Sequence, residues 1–233
     1  MTRPGASPDD GGTPMIDFAR YNLLAAFGLT IALSLLSGVG ALVIGTLVAI
    51  LRLSPARVPQ LLGTAYVTIF RNTPLTLLMV ASILGLTYML GLSWSDDVYA
   101  NAFIWAVIVL SIYHGAFVCE ALRSGVNTIP AGQSEAARSI GLTFGQSLTA
   151  VILPQAFRGA IAPLGSTFIA LIKNTTVASL IGVAEASSLM STVIEDQTAS
   201  LGIFAVFALG FVILTLPLGI WFTELSKKLA VKR

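Results

Sequence analysis

The chain has 233 residues, of which 55% are hydrophobic and only 10% charged, a composition too apolar for a water-soluble domain and suited to a bilayer as solvent. A formal net charge of +2 points neither to nucleic acid nor to an acidic partner, and the charges fall almost wholly between the apolar runs. The single cysteine, Cys119, lies inside such a run; it excludes an intramolecular disulfide or a cysteine-built metal site and reads as a small packing residue.

The stretch 1–20 opens with a Gly-, Pro- and Asp-rich segment, Met1 to Thr13. It has no basic region leading into a short apolar core, so it reads as a disordered or peripheral extracellular tail and not as a cleaved signal peptide. A transmembrane unit follows over 21–226. A helix needs roughly 20 apolar residues to cross about 30 Å of hydrocarbon, and candidate spans lie near 23–51, 62–90, 102–120, 147–172 and 201–222. The first two are long enough to tilt or to project from the membrane, and Pro74 marks an irregular first turn or a kink in the second. In the first span Ser34, Gly38, Ala41, Gly45 and Ala49 share one face, a stripe of small residues for close helix packing. No fixed-period repeat and no inverted repeat is evident.

Arg52 and Arg57 follow the first span, Arg123 and Arg138 the third, and the tail 227–233 carries Lys227, Lys228, Lys232 and Arg233. The opposite side receives Asp9, Asp10, Asp17, Asp96, Asp97, Glu195 and Asp196. This bias puts the N-terminus outside and the C-terminus in the cytoplasm, as five crossings require.

Between spans three and four, Pro130 to Gly141 departs from the membrane pattern and predicts a short amphipathic helix near 131–143, with Pro130 in its first turn. Ala137, Ile140, Gly141 and Phe144 follow helical spacing and form an expected packing face. Gly141 and Gly145 are expected to turn the chain back to the membrane. The Glu135-Ala136-Ala137 triplet, Gly141 six residues after the Glu, and then Val151-Ile152-Leu153-Pro154 resemble the EAA signature of ABC importer permeases, with Val151 in place of the usual Ile.

That resemblance extends to Arg71-Asn72-Thr73-Pro74-Leu75, Tyr113 through Arg123, and Leu171 through Glu185, which look like the polar-amino-acid permeases of the histidine, glutamine and arginine type. The Lys173-Asn174-Thr175-Thr176 stretch and the C-terminal Leu214-Thr215-Leu216-Pro217 are most similar to permease subunits of glutamate importers. The resemblance implies an all-α membrane protein, five transmembrane helices of the type I importer permease fold. It also implies a coupling helix in which Glu135, Ala136, Ala137 and Gly141 dock on a separate ATPase. The implied partners are a second permease, related but different, two ATPase subunits and an extracellular amino-acid-binding protein. The sequence has no G-x-x-x-x-G-K-[ST] loop, so ATP and Mg would be bound by the partner, and no cofactor is expected in this chain. The implied location is the bacterial inner membrane.

In the fourth span Arg158 marks where hydrocarbon begins, so 159–172 advances only about 20 Å and leaves Lys173 at membrane depth. Val177 to Met190 would complete the crossing, giving a broken segment near 173–190 whose freed backbone lines a cavity. A Lys beside Asn and Thr donors there can hold a carboxylate. By resemblance Glu120, Lys173, Asn174 and Thr175 form the substrate pathway, with Glu120 against the substrate ammonium; the other reading of Glu120 is a structural pair with Arg123 one turn away. Arg71 reads as a snorkelling structural residue and His114 as a satisfied helix contact. An ion-driven amino-acid transporter is the alternative, though it has no use for an EAA-like loop, and glutamine or arginine are alternative substrates. A membrane enzyme finds no nucleophile–base pair among one His, one Cys and scattered carboxylates.

Overall fold

The computed structural model describes residues 20–197 and 201–229. Most of the tail read at 1–20, with Asp9, Asp10 and Asp17, lies outside the described residues, as do Lys232 and Arg233. The described chain is helical throughout, without a strand. In order it forms α1 (Leu23–Leu53), α2 (Arg57–Asn72), α3 (Leu75–Val80) running into a π-helical stretch Ala81–Met89, α4 (Val98–Val126) and α5 (Ala131–Ser139). There follow α6 (Phe144–Ser147) with a π-helical stretch Leu148–Ile152, α7 (Leu153–Asn174) with a 3₁₀ stretch Thr175–Ile181, α8 (Ala186–Gln197) and α9 (Leu201–Leu229).

Among the described residues four helical stretches are long and apolar enough to cross a bilayer: Leu23–Leu53, Val98–Val126, Phe144–Ile181 and Leu201–Leu229. A fifth crossing exists only if the bent pair α2 and Leu75–Met89 counts as one. The kink expected at Pro74 is a sharp one, the two halves meeting at 99°. Proline is the cause. Its ring disfavours helical backbone at the preceding residue, and Thr73 is extended at φ −94°, ψ 132°. Pro74 then starts α3 from the cap position, where its missing N–H costs nothing. α2 is also too polar to be half a simple span, since Arg57, Gln60, Thr64 and Arg71 share one stripe of it.

α4 is the central post. α1 lies along it through the small-residue stripe: Gly38, Ala41, Gly45 and Ala49 are buried, Ser34 half-buried, and a Cβ at Gly45 would come within 2.6 Å of Val118. On its other flank Gly125 meets α7 so closely that a Cβ there would run into the Ala156 carbonyl and lie 2.9 Å from Ala160 N. Three apolar clusters fill the contacts. Ala41, Val48, Ala116, Leu122, Ala160 and Leu164 join α1, α4 and α7. Leu33, Leu75, Met79, Leu110 and Val183 join α1, α3, α4 and the break after α7. Val193, Ile203 and Phe207 tie α8 to α9. α9 also packs on α7 through Phe222, stacked on Phe168, and on α1 through Phe211 against Phe27, while Leu209, Ile213, Leu216, Ile220 and Trp221 are exposed.

The break after α7 lies inside the expected 173–190 window but further along than Lys173. α7 keeps its helix through Asn174, tightens to 3₁₀ from Thr175, and the chain turns at Gly182, φ 89°. α4 runs past the expected 102–120 at both ends, because Asp97 caps its start by accepting from Ala100 N at 2.7 Å.

Candidate functional site

The loop between α4 and α7 is built on a nine-residue helix, α5, which starts at Pro130. Ala137 is the residue that seats it on the body; Glu135 and Ala136 stand exposed. The expected packing face over Ala137, Ile140, Gly141 and Phe144 does not form, since Ile140 is 78% and Phe144 44% exposed. The reason is local. α5 ends at Ser139, and beyond it helical spacing no longer sets direction. Gly141 takes φ 83°, which a side chain would strain, while Leu142 N donates to Ala137 O at 3.1 Å and closes the helix end. Gly145 is not a turn residue: it sits within α6, which Thr143 and Gln146 start with reciprocal side-chain to backbone bonds. The result is a short, firmly terminated helix presenting a carboxylate, a small alanine and two uncovered apolar side chains.

A second polar group lies where α4 meets the end of α7. His114 stands about 24 Å from the Val98 end of α4 and about 18 Å from its Val126 end, at 1.5 Å per residue. It is buried, and Asn174 Nδ2 lies 3.2 Å from its Nε2. An amide nitrogen only donates, so the imidazole accepts at Nε2 and carries its proton on Nδ1, which has no partner among the described residues. Thr175 is buried and donates to Ile172 O at 2.7 Å. Lys173 is exposed, and its ammonium makes no hydrogen bond or ion pair among the described residues. The Asn174 side-chain oxygen and the Lys173 ammonium are thus both unspent among the described residues, close to the middle of α4, and unspent polar groups inside a membrane bundle need water or a ligand.

Glu120 stands apart from that group, toward the Val126 end of α4. Its carboxylate accepts from Arg52 at the end of α1 and from Arg123 Nε and Nη2 at 3.1 and 2.9 Å, with Arg71 Nη1 at 3.9 Å. The Arg71 guanidinium also lies 5.4 Å over the Phe117 ring. The Arg123 pairing foreseen from spacing is present; Arg52, 68 residues away in sequence, carries no local signal and was not foreseen. Glu185 was likewise illegible. It is fully buried as the residue preceding α8, accepting from Ser187 N at 2.9 Å and Ser188 N at 3.0 Å, with the Thr30 hydroxyl 3.4 Å away. Ala186 N donates to the same hydroxyl at 3.1 Å, so α8 is pinned to α1.

Residues 41–231 match the family described as binding-protein-dependent transport system inner membrane component. The chain is 49% identical over 218 residues to the glutamate transport system permease protein GluC of Corynebacterium glutamicum, covering 91% of this chain and 96% of that one. It is 35% identical over 216 residues to a probable glutamine ABC transporter permease protein, GlnM, of Bacillus subtilis, covering 91% and 94%. Among solved structures it resembles a chain of an amino acid ABC transporter crystallised with histidines, with a TM-score of 0.79 over 93% of this chain and 99% of that one; at 23% identity this likeness speaks to the fold.

Proposed function

The chain belongs to the family of binding-protein-dependent transport system inner membrane components, and on that premise we propose that it moves L-glutamate into the cytoplasm through a pathway it shares with a second permease. It is a multi-pass permease subunit of an ABC importer, a transport component and not an enzyme. The observation that carries the reading is α5, whose exposed Glu135 and Ala136, seated Ala137 and left-handed Gly141 suit it to receive a push from another subunit. A terminated helix transmits such a push as a rigid lever, and a carboxylate with small neighbours permits close docking against a basic groove.

In this proposal two ATPase subunits hold ATP and Mg, and an extracellular binding protein delivers the amino acid. The second permease is a related, different chain. The N-terminus lies outside and the C-terminus in the cytoplasm, with Arg52, Arg123 and Arg138 on the cytoplasmic side. The Lys173 ammonium meets a substrate carboxylate, and the free oxygen of Asn174 accepts from the substrate ammonium, with Thr175 holding the end of α7 in shape. Glu120 serves the cytoplasmic stretch of the same pathway as a positioning group, tying Arg52 at the end of α1 to Arg123 on α4. The assignment of glutamate draws on the similarity to GluC.

Radiolabelled glutamate uptake by the full assembly tests the reading, with glutamine and arginine as competitors. Lys173→Met is expected to abolish uptake and binding-protein-stimulated ATP hydrolysis together. Undiminished uptake in that variant removes the carboxylate assignment, and uptake driven by a sodium or proton gradient without ATPase subunits removes the importer reading.

A further inference from the structure

We propose that the cavity of about 220 Å³ between the end of α1, the middle of α2 and the end of α4 binds the phosphate of an anionic phospholipid from the cytoplasmic leaflet. The proposal rests on the orientation given above but not on the identity of the transported solute.

Charge is the first ground. Arg52, Arg71 and Arg123 converge on the single carboxylate of Glu120, so the cluster keeps two positive charges in excess. Arg52 and Arg123 form two walls of the cavity, with Gln60 and Thr64 of α2 and Cys119 completing it. A basic pocket between membrane helices near the inner surface is the setting in which acidic lipid headgroups bind.

Unspent donors are the second ground. Glu120 engages Arg52 through Nη1 and Arg123 through Nε and Nη2, which leaves Arg52 Nε and Nη2 and Arg123 Nη1 without a partner among the described residues. The Thr64 hydroxyl also makes no hydrogen bond there. Gln60 is held in place by donating to Ser54 O at 2.7 Å. Guanidinium and hydroxyl donors arriving from two helices match the several acceptor oxygens of a phosphate better than a single carboxylate.

The third ground is α2. Bent by 99° from the helix that follows it, it carries Arg57, Gln60, Thr64 and Arg71 along one stripe while Gly63 and Val67 are buried. Its first half, with Arg57, Gln60 and Thr64, starts beside the ends of two spans, while Tyr66 further along donates to Ile112 O in the middle of α4; an amphipathic helix that enters the bundle in this way holds the polar side of its first turns at the headgroup layer.

The test is made on the full assembly extracted gently from membranes containing phosphatidylglycerol and phosphatidylethanolamine, with native mass spectrometry of retained lipid. Retention of phosphatidylglycerol over phosphatidylethanolamine is expected, and Thr64→Glu, which places a carboxylate in the cavity, should lower it by about fivefold or more. Indiscriminate retention of both lipids, or unchanged retention in Thr64→Glu, overturns the proposal. Where Thr64→Glu does not assemble, Gln60→Glu on the same wall repeats the measurement, and the lipid preference of the unsubstituted assembly decides by itself. A delipidated assembly stabilised against heat as much by inorganic phosphate as by short-chain phosphatidylglycerol would overturn the lipid as the source of the phosphate.

Discussion

Asn174 and His114, 60 residues apart in sequence, meet at 3.2 Å through Nδ2 and Nε2, and that contact fixes which way the Asn174 amide faces. With its nitrogen spent on the imidazole, its oxygen is left without a partner among the described residues.

Replacing His114 with Leu should therefore free the amide to rotate and raise the apparent KM for uptake by about threefold to tenfold, the range that inter-helix hydrogen bonds in membranes support. His114→Gln, which keeps an acceptor, should lose less. Uptake kinetics over a substrate range check this, and a fall in maximal rate with unchanged KM would speak for a general packing defect instead.

Glu120→Gln leaves Arg52, Arg71 and Arg123 facing one another without a carboxylate. A loss of about 1–3 kcal/mol is expected from leaving half-buried charged donors unsatisfied. Arg123→Ala should cost less than about 1 kcal/mol, because that side chain is 46% exposed and pairs one turn away. Thermal melting of the purified assembly separates the two.

At the loop, Ala136→Trp should leave the permease folded, since Ala136 is exposed, while abolishing uptake and recovery of the ATPase subunits in co-purification. Gly141→Val strains a residue at φ 83°, at about 1–2 kcal/mol, and should uncouple ATP hydrolysis from transport. Coupled hydrolysis assays on both variants check the expectation.

Two glycines predict opposite outcomes for the same added methyl. Gly125→Ala drives a Cβ into the Ala156 carbonyl, backbone that cannot swing aside, and should prevent α4 and α7 from closing. Gly85→Ala meets nothing within 4 Å and should be neutral or stabilising by less than about 1 kcal/mol. Expression level and thermal melting report both.

Glu185→Ala should free the Ser187 and Ser188 amides and cost about 2 kcal/mol or somewhat more, the upper range for a lost cap, since the site is fully buried. Hydrogen exchange at the start of α8 measures it directly.

The apolar runs and the EAA-like spacing made the helical membrane architecture and the loop legible, because hydropathy and motif spacing are local. Three features were read incompletely or not at all. The kink at Pro74 was expected, but a proline alone allows a kink of any size, and the 99° bend was not. The Arg52–Glu120 and Thr30–Glu185 contacts join residues 68 and 155 positions apart, and no single-chain pattern announces such pairs. Ile140 and Phe144 kept helical spacing on paper after the helix had ended at Ser139. Of the candidate site, Asn174 was named but its partner His114 was set aside as a mere contact.

The anchoring of Glu185 and Ala186 on Thr30 also sets a timetable for biogenesis. Thr30 emerges from the ribosome 155 residues ahead of Glu185, a gap on the order of ten to thirty seconds at cellular elongation speeds. Throughout that wait the first span lacks its eventual mooring; α4 is made only midway through it, and from then on holds the span until the late segment is threaded and locks the nascent bundle.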